Sequence, residues 1–161
     1  MRKLLLIALL FFIPLGLSAQ SYDDASEASE LCLLAQGNSF MNDKKAEAAL
    51  ERILSVIGAS KRFVLQPCSD INNAVAISYK GLRYILYDKE FMNTIADNTS
   101  AWSQLFILAH EVGHHINGHS VDILLKAADV VEPKTLAAKR KQELESDEFA
   151  GFILGKLGAT L

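Results

Sequence analysis

"AHEVGHHINGH", residues 109–119, holds every histidine of the chain: His110, His114, His115 and His119. Within it, His110-Glu111-Val112-Gly113-His114 reads HExxH. Residues four apart share one face of a helix, so His110 and His114 can converge on a single zinc ion. Glu111 stands about 100° round the helix, beside the metal, where it can take a proton from a water acidified by the ion. Leu105, Ala109, Val112 and Ile116 form a separate apolar stripe that can enter a core and leave the two histidines at its margin. The spacing predicts a helix capped by Asn98, Thr99 or Ser100 and ended at Asn117-Gly118. His115 is expected on the helix surface.

A catalytic zinc normally takes three protein ligands and a water. A third histidine ten residues after His110, with glycine at seven, would complete one known arrangement. Those positions are Asn117 and Ser120, which rules it out. The remaining source is an acid on the last helix, in "KQELESDEFAGFILGKL", residues 141–157. With Glu143 at the origin of a helical wheel, Leu136, Leu144, Asp147, Ala150, Leu154 and Leu157 fall within about 100° either side. Lys141, Glu145 and Glu148 point away. Two carboxylates one turn apart in an apolar stripe are costly unless they are paired or bind metal. Glu143 is the candidate third ligand, and Asp147 the acceptor that orients a ligating histidine through its other ring nitrogen. Salt bridges to Lys139 or Arg140 at the edge of the stripe are the alternative.

The chain has 161 residues, enough for one domain with a core. Residues 1–19 read as a signal peptide: Arg2 and Lys3, an apolar run from Leu4 to Leu17 broken by Pro14, and the small-residue site Leu17-Ser18-Ala19. That run is shorter than the roughly 20 residues a spanning helix needs. The expected protein is exported, to the periplasm or the medium, with no stable membrane span after cleavage. Cleavage removes two of the 16 basic residues and none of the 19 acidic ones, leaving 14 against 19. So acidic a balance argues against nucleic acid as a partner. An exported compartment permits a disulfide between the two cysteines, Cys32 and Cys68, with two buried thiols as the alternative.

Residues 20–30 are polar and acidic and read as a flexible mature N-terminus. From Leu31 to the end a single domain is expected. Leu31 to Phe40 and Asp43 to Ile57 read as helices; in the second, Ala46, Ala49, Leu50, Ile53 and Leu54 share a face and Gly58 stops it. Phe63-Val64-Leu65, Ala74 to Tyr79 and Leu82 to Tyr87 are β-branched and aromatic, with Lys80-Gly81 placed for a tight hairpin. After Asp88 the pattern is helical again, and Pro133 is placed to open a last helix over about Lys134 to Leu157. Helices, a small antiparallel sheet, then helices make an α+β domain.

The motifs together resemble the gluzincins of the HtpX and CAAX-prenyl-protease type (peptidase family M forty-eight), including their small exported relatives. Those carry HExxHxxxxH, filled here by His110, Glu111, His114 and His119. They carry ExxxD on a later helix, matched by Glu143-Leu144-Glu145-Ser146-Asp147 with Ser146 for the usual alanine. They carry an N-A-x-A strand, matched by Asn73-Ala74-Val75-Ala76. The resemblance covers residues 61 to 157. It implies a zincin-like fold in which an edge strand packs on the HExxH helix and accepts an extended peptide by β-augmentation. It implies one zinc ion per chain, held by His110, His114 and Glu143, with Glu111 as general base and Asp147 behind the ligands. Such enzymes usually supply a downstream histidine or arginine to the oxyanion. Here no histidine follows His119, and Lys156 is the only basic residue after Asp147, so either the donor comes from elsewhere, with Tyr79, Arg83 and Tyr84 as candidates, or this is a minimal, weak or truncated enzyme.

The expected function is a zinc metalloendopeptidase acting on protein substrates, with envelope protein quality control as a setting. The rival is a non-catalytic zinc-binding or chaperone-like module that holds clients. A purely structural zinc site fits less well, because such sites are usually closed by four Cys or His ligands.

Overall fold

The computed structural model describes Cys32, residues 43–120 and residues 134–159. The expected signal peptide, the acidic segment 20–30, Pro133 and most of the helix expected at 31–40 lie outside these, although Cys32 itself is helical. Asp43 caps helix α1, Lys44–Val56, by accepting from the N–H groups of Lys45 and Ala46. Leu50, Ile53 and Leu54 are its buried face, and Gly58 follows it with φ of 64°.

Strands β1 (Phe63–Pro67), β2 (Ala74–Tyr79) and β3 (Leu82–Tyr87) form a sheet in the order β1-β3-β2. The hairpin is as expected: β2 and β3 are antiparallel, and Lys80 (φ 50°) and Gly81 (φ 75°) both adopt the left-handed backbone a two-residue turn requires. The expectation of an antiparallel sheet needs correction, because β1 runs parallel to β3 and the sheet is mixed. The chain leaves β1 at Pro67, level with Tyr87, and re-enters at Ala74, also level with Tyr87. The segment between crosses the end of β3, which then fills the centre. β3 carries Ile85, Leu86 and Tyr87, all buried, and so has most to gain from the central place. Pro67, lacking a donor, sits at an edge.

Side chains alternate across the sheet. Phe63 and Ile85 face a core shared with α1 and the two long helices, whereas Ile77 and Leu86 face a smaller cluster with Cys68 and Ile71. Cys32 is joined to Cys68 by a disulfide (Cα–Cα 6.0 Å) and packs on that second cluster, on the face of the sheet opposite the main core. Asp88, buried, caps helix α2 (Lys89–Asn98) through the N–H groups of Glu90 and Phe91 and also accepts from Asn72 N–H at 3.2 Å. One carboxylate thus starts a helix and fixes the turn that leads into β2.

Helix α3, Ala101–Ile116, carries the histidines, and helix α4, Leu136–Lys156, packs beside it. Ser100 is the N-cap of α3 without a side-chain bond, and α4 begins after Thr135, slightly later than expected. Leu105, Leu108, Ala109 and Val112 of α3 are buried against α1, the sheet and α4. Ile116, expected in that stripe, is exposed, and Leu108 takes its place in the core. The described residues thus make an α+β arrangement of four helices and a three-stranded mixed sheet. No helix among them is long and apolar enough to cross a membrane.

Candidate metal centre

The close packing of α3 on α4 sets the site. An added Cβ on Gly113 would lie 3.2 Å from the Cα of Ser146 and 3.2 Å from Phe149 Cδ1. Glycine on one helix and the fully buried Ser146 on the other let the two backbones approach at that level. His110 and Glu143 stand a turn before Gly113 and Ser146, and His114 and Asp147 directly follow them. His110 Nε2, His114 Nε2 and Glu143 Oε2 form a triangle with edges of 3.0, 3.2 and 3.6 Å. This group could hold a metal ion.

Behind it, His110 Nδ1–H donates to Asp147 Oδ1 at 2.8 Å, which turns the lone pair of Nε2 into the triangle. Burial, with the neighbouring histidines and Lys134 adding to it, holds His114 down to about 4, so its imidazole is neutral at neutral pH. Two imidazole nitrogens and a carboxylate oxygen in van der Waals contact have few protons to share. A cation between them would satisfy all three.

Glu111 is buried beside the triangle. Burial pushes its carboxyl up to about 8, Glu143 adds to the rise, and the backbone N–H of Ala76, which donates to it, opposes it. The N-A-x-A pattern explains this approach. Ala74, Ala76 and Ser78 share the face of β2 toward α3, and their small side chains let the helix reach the strand's edge. A cleft of about 290 Å³ runs between the start of β2 (Asn73, Ala74, Val75) and the three acids and two histidines of the site, with Phe106 and Ile107 on its α3 wall. The structure thus brings together all of the candidate ligands, Glu111, Asp147 and the strand residues, apart from Ala76, along one cleft.

The apolar stripe drawn through Glu143 needs correction. The buried face of α4 is Ser146, Ala150 and Ile153, while Leu136 and Leu144 are exposed. The side chains of Glu143 and Asp147 are 48% and 51% exposed, at the mouth of the cleft and not within the core. Glu145, expected to point away, pairs with His119. Apolar residues are spread round α4, so periodicity could not select the face; the approach at Gly113 does.

His115 is no surface residue. It is 1% exposed, donates from Nε2 to the carbonyl of Tyr84 at 2.8 Å, accepts at Nδ1 from Ser120 Oγ at 3.0 Å, and packs against Phe63 with ring centroids 5.2 Å apart. Burial lowers its pKa, so it is a neutral strut between α3 and β3. Its spacing from Leu108 and Val112, which places it on the same buried helix face, is the signal the sequence offers. None of the oxyanion candidates lines the cleft. Tyr84 packs with the outer cluster, Tyr79 lies at the hairpin beside Lys80, and Arg83 is exposed.

No family model matches the chain, and no curated protein or solved structure is significantly similar to it.

Proposed function

We propose that this protein is an exported zinc-dependent endopeptidase of zincin-like fold, similar to the HtpX and CAAX-prenyl-protease type. The observation that carries the reading is the triangle of His110, His114 and Glu143 with Glu111 buried beside it. Ligand atoms at tetrahedral corners about 2.0–2.1 Å from zinc stand about 3.3 Å apart, and the three edges bracket that value. Two nitrogens and one oxygen also suit zinc better than an all-oxygen site would.

Zinc bound there supplies Lewis acidity, acidifying a water and polarising a carbonyl. The other steps belong to the chain. Asp147 holds His110 in the tautomer that offers Nε2 to the ion. The outer edge of β2 pairs with the backbone of an extended polypeptide and lays it across the cleft. A cation held by the triangle would offset the burial that keeps the Glu111 carboxyl protonated; once ionised, Glu111 takes the proton of the attacking water and passes it to the leaving amide nitrogen, so that the scissile C–N bond breaks without releasing an amide anion.

The rival is a zinc-binding module that holds unfolded clients on β2 without cleaving them. It is favoured by one observation: among the described residues, no tyrosine, arginine or further histidine lines the cleft to stabilise an oxyanion. The test is digestion of a permanently unfolded protein by wild type and by Glu111→Gln, both purified with zinc bound. Cleavage by wild type and at least a hundred-fold (about 10²) loss in the variant supports the peptidase. Equal rates overturn it, and client binding without turnover by either protein decides for the rival.

A further inference from the structure

Two histidines stand outside the triangle, and one of them touches it. Helix α3 ends at Gly118, whose φ of 72° lets its N–H point to His115 O at 3.4 Å while His119 N–H donates to His114 O at 2.8 Å. This is the Schellman ending, in which the residue after the glycine folds back over the residue five before it, usually with an apolar contact. Here the contact is between two imidazoles: the His119 and His114 rings meet edge to face with centroids 5.4 Å apart.

The His119 side chain is 7% exposed. Its Nε2–H donates to Glu145 Oε2 on α4 at 2.9 Å, two residues beyond the ligand Glu143. Among the described residues its Nδ1 has no hydrogen-bond partner. What the imidazole adds over an apolar ring is the bond to Glu145. Lys134 closes the same joint by donating to His119 O at 3.2 Å and to Gln142 Oε1 at 3.1 Å.

We infer that His119 is a positioning residue for the metal ligand His114, latched to α4 by Glu145. His114 and Glu143, which must meet at one ion, stand on different helices. The His119–Glu145 bond joins those helices on the far side of the His114 ring, holding both its orientation and its distance from Glu143. The inference rests on the metal reading above and extends it to a pair outside the ligand set.

The test uses the full chain and zinc itself. Zinc affinity is measured by competition with a chromophoric chelator, and the visible spectrum of the cobalt-substituted protein reports ligand geometry. Wild type, His119→Ala, His119→Gln and Glu145→Ala are compared, with His114→Ala as the ligand-loss control. His119→Ala and Glu145→Ala are expected to weaken zinc binding by about 10–100-fold and to alter the cobalt spectrum. His119→Gln, whose amide can still donate to Glu145, is expected to stay within about threefold of wild type, by the ordinary replaceability of one donor by another. Alanine variants with wild-type affinity and spectrum overturn the inference, as does a loss that glutamine fails to rescue. Should His119→Ala not fold, Glu145→Ala and His119→Gln carry the same two outcomes. Failure of wild type itself to bind zinc overturns the metal reading, and this inference with it.

Discussion

Asp147 Oδ1 accepts from His110 Nδ1 at 2.8 Å, while the opposite nitrogen of the same ring stands 3.2 Å from Glu143 Oε2. One imidazole is therefore held between two carboxylates of α4, a turn apart, one fixing its tautomer and the other facing the same point as its lone pair. Both acids are half exposed, so neither is needed to fill the core.

Removing Asp147 should consequently affect metal and spare the fold. Asp147→Ala is expected to weaken zinc binding by about 10–100-fold, with the metal-free protein's unfolding midpoint nearly unchanged. Asp147→Asn, which keeps an acceptor and loses the charge, should fall between. Chelator competition beside thermal unfolding checks both halves. An Asp147→Ala protein with undiminished affinity would remove Asp147 from the site.

Glu111 gives a pH-dependent prediction for the metal-free protein. Burial raises its folded pKa to about 8, above the ordinary carboxyl value. A raised folded pKa means that the folded state holds a proton the unfolded state has released. Stability from this group is present below about 4.5 and is lost as pH rises toward 8. Glu111→Gln cannot ionise and escapes the loss. The variant should gain on wild type progressively from pH 5 to pH 8, reaching about 2–3 kcal/mol at neutral pH. Urea unfolding of the metal-free pair across that range checks it; a difference independent of pH would refute it.

Glycine to alanine should have opposite consequences at two helical positions. At Gly151 a Cβ meets nothing within 4 Å among the described residues, so the substitution is expected to stabilise by about 0.5–1 kcal/mol through helix propensity. At Gly113 the Cβ meets the Ser146 backbone, and separating α3 from α4 is expected to cancel or exceed that gain by about 1–3 kcal/mol of overpacking. Because the same contact sets the triangle, Gly113→Ala should also weaken zinc binding. Unfolding and zinc titration of both variants decide it.

The Cys32–Cys68 disulfide closes a loop across 36 residues of sequence. Its reduction should destabilise the protein by about 2–4 kcal/mol, since the unfolded chain regains the entropy the cross-link removes. The second cluster under β2 and β3 should open first. Hydrogen exchange at Ile77 and Leu86, compared between oxidised and reduced protein, tests the location.

Much of this molecule is legible in its sequence, and the reason is locality. HExxH places His110, Glu111 and His114 on one helix by spacing alone, Lys80-Gly81 specifies a hairpin, and Asp43 and Gly58 bracket a helix with its own caps. The pair Glu143 and Asp147 is also local, four residues apart on one helix. Which way α4 turns is not local. Its apolar residues are spread round the axis, so the buried Ser146 and the exposed Leu144 could not be told apart until Gly113 was seen against α4. β1 pairs parallel to a strand that follows it by twenty residues, a choice settled by burying β3 at the centre of the sheet. His115 and His119 carry the same side chain as the candidate ligands and differ only in what surrounds them: a carbonyl of β3 for one, a carboxylate of α4 for the other. Spacing along a helix determined which groups can face one ion. Contacts between elements far apart in the chain decided what stands behind each of those groups, because hydrogen-bond partners and close backbone approaches exist only once the helices and the sheet have packed.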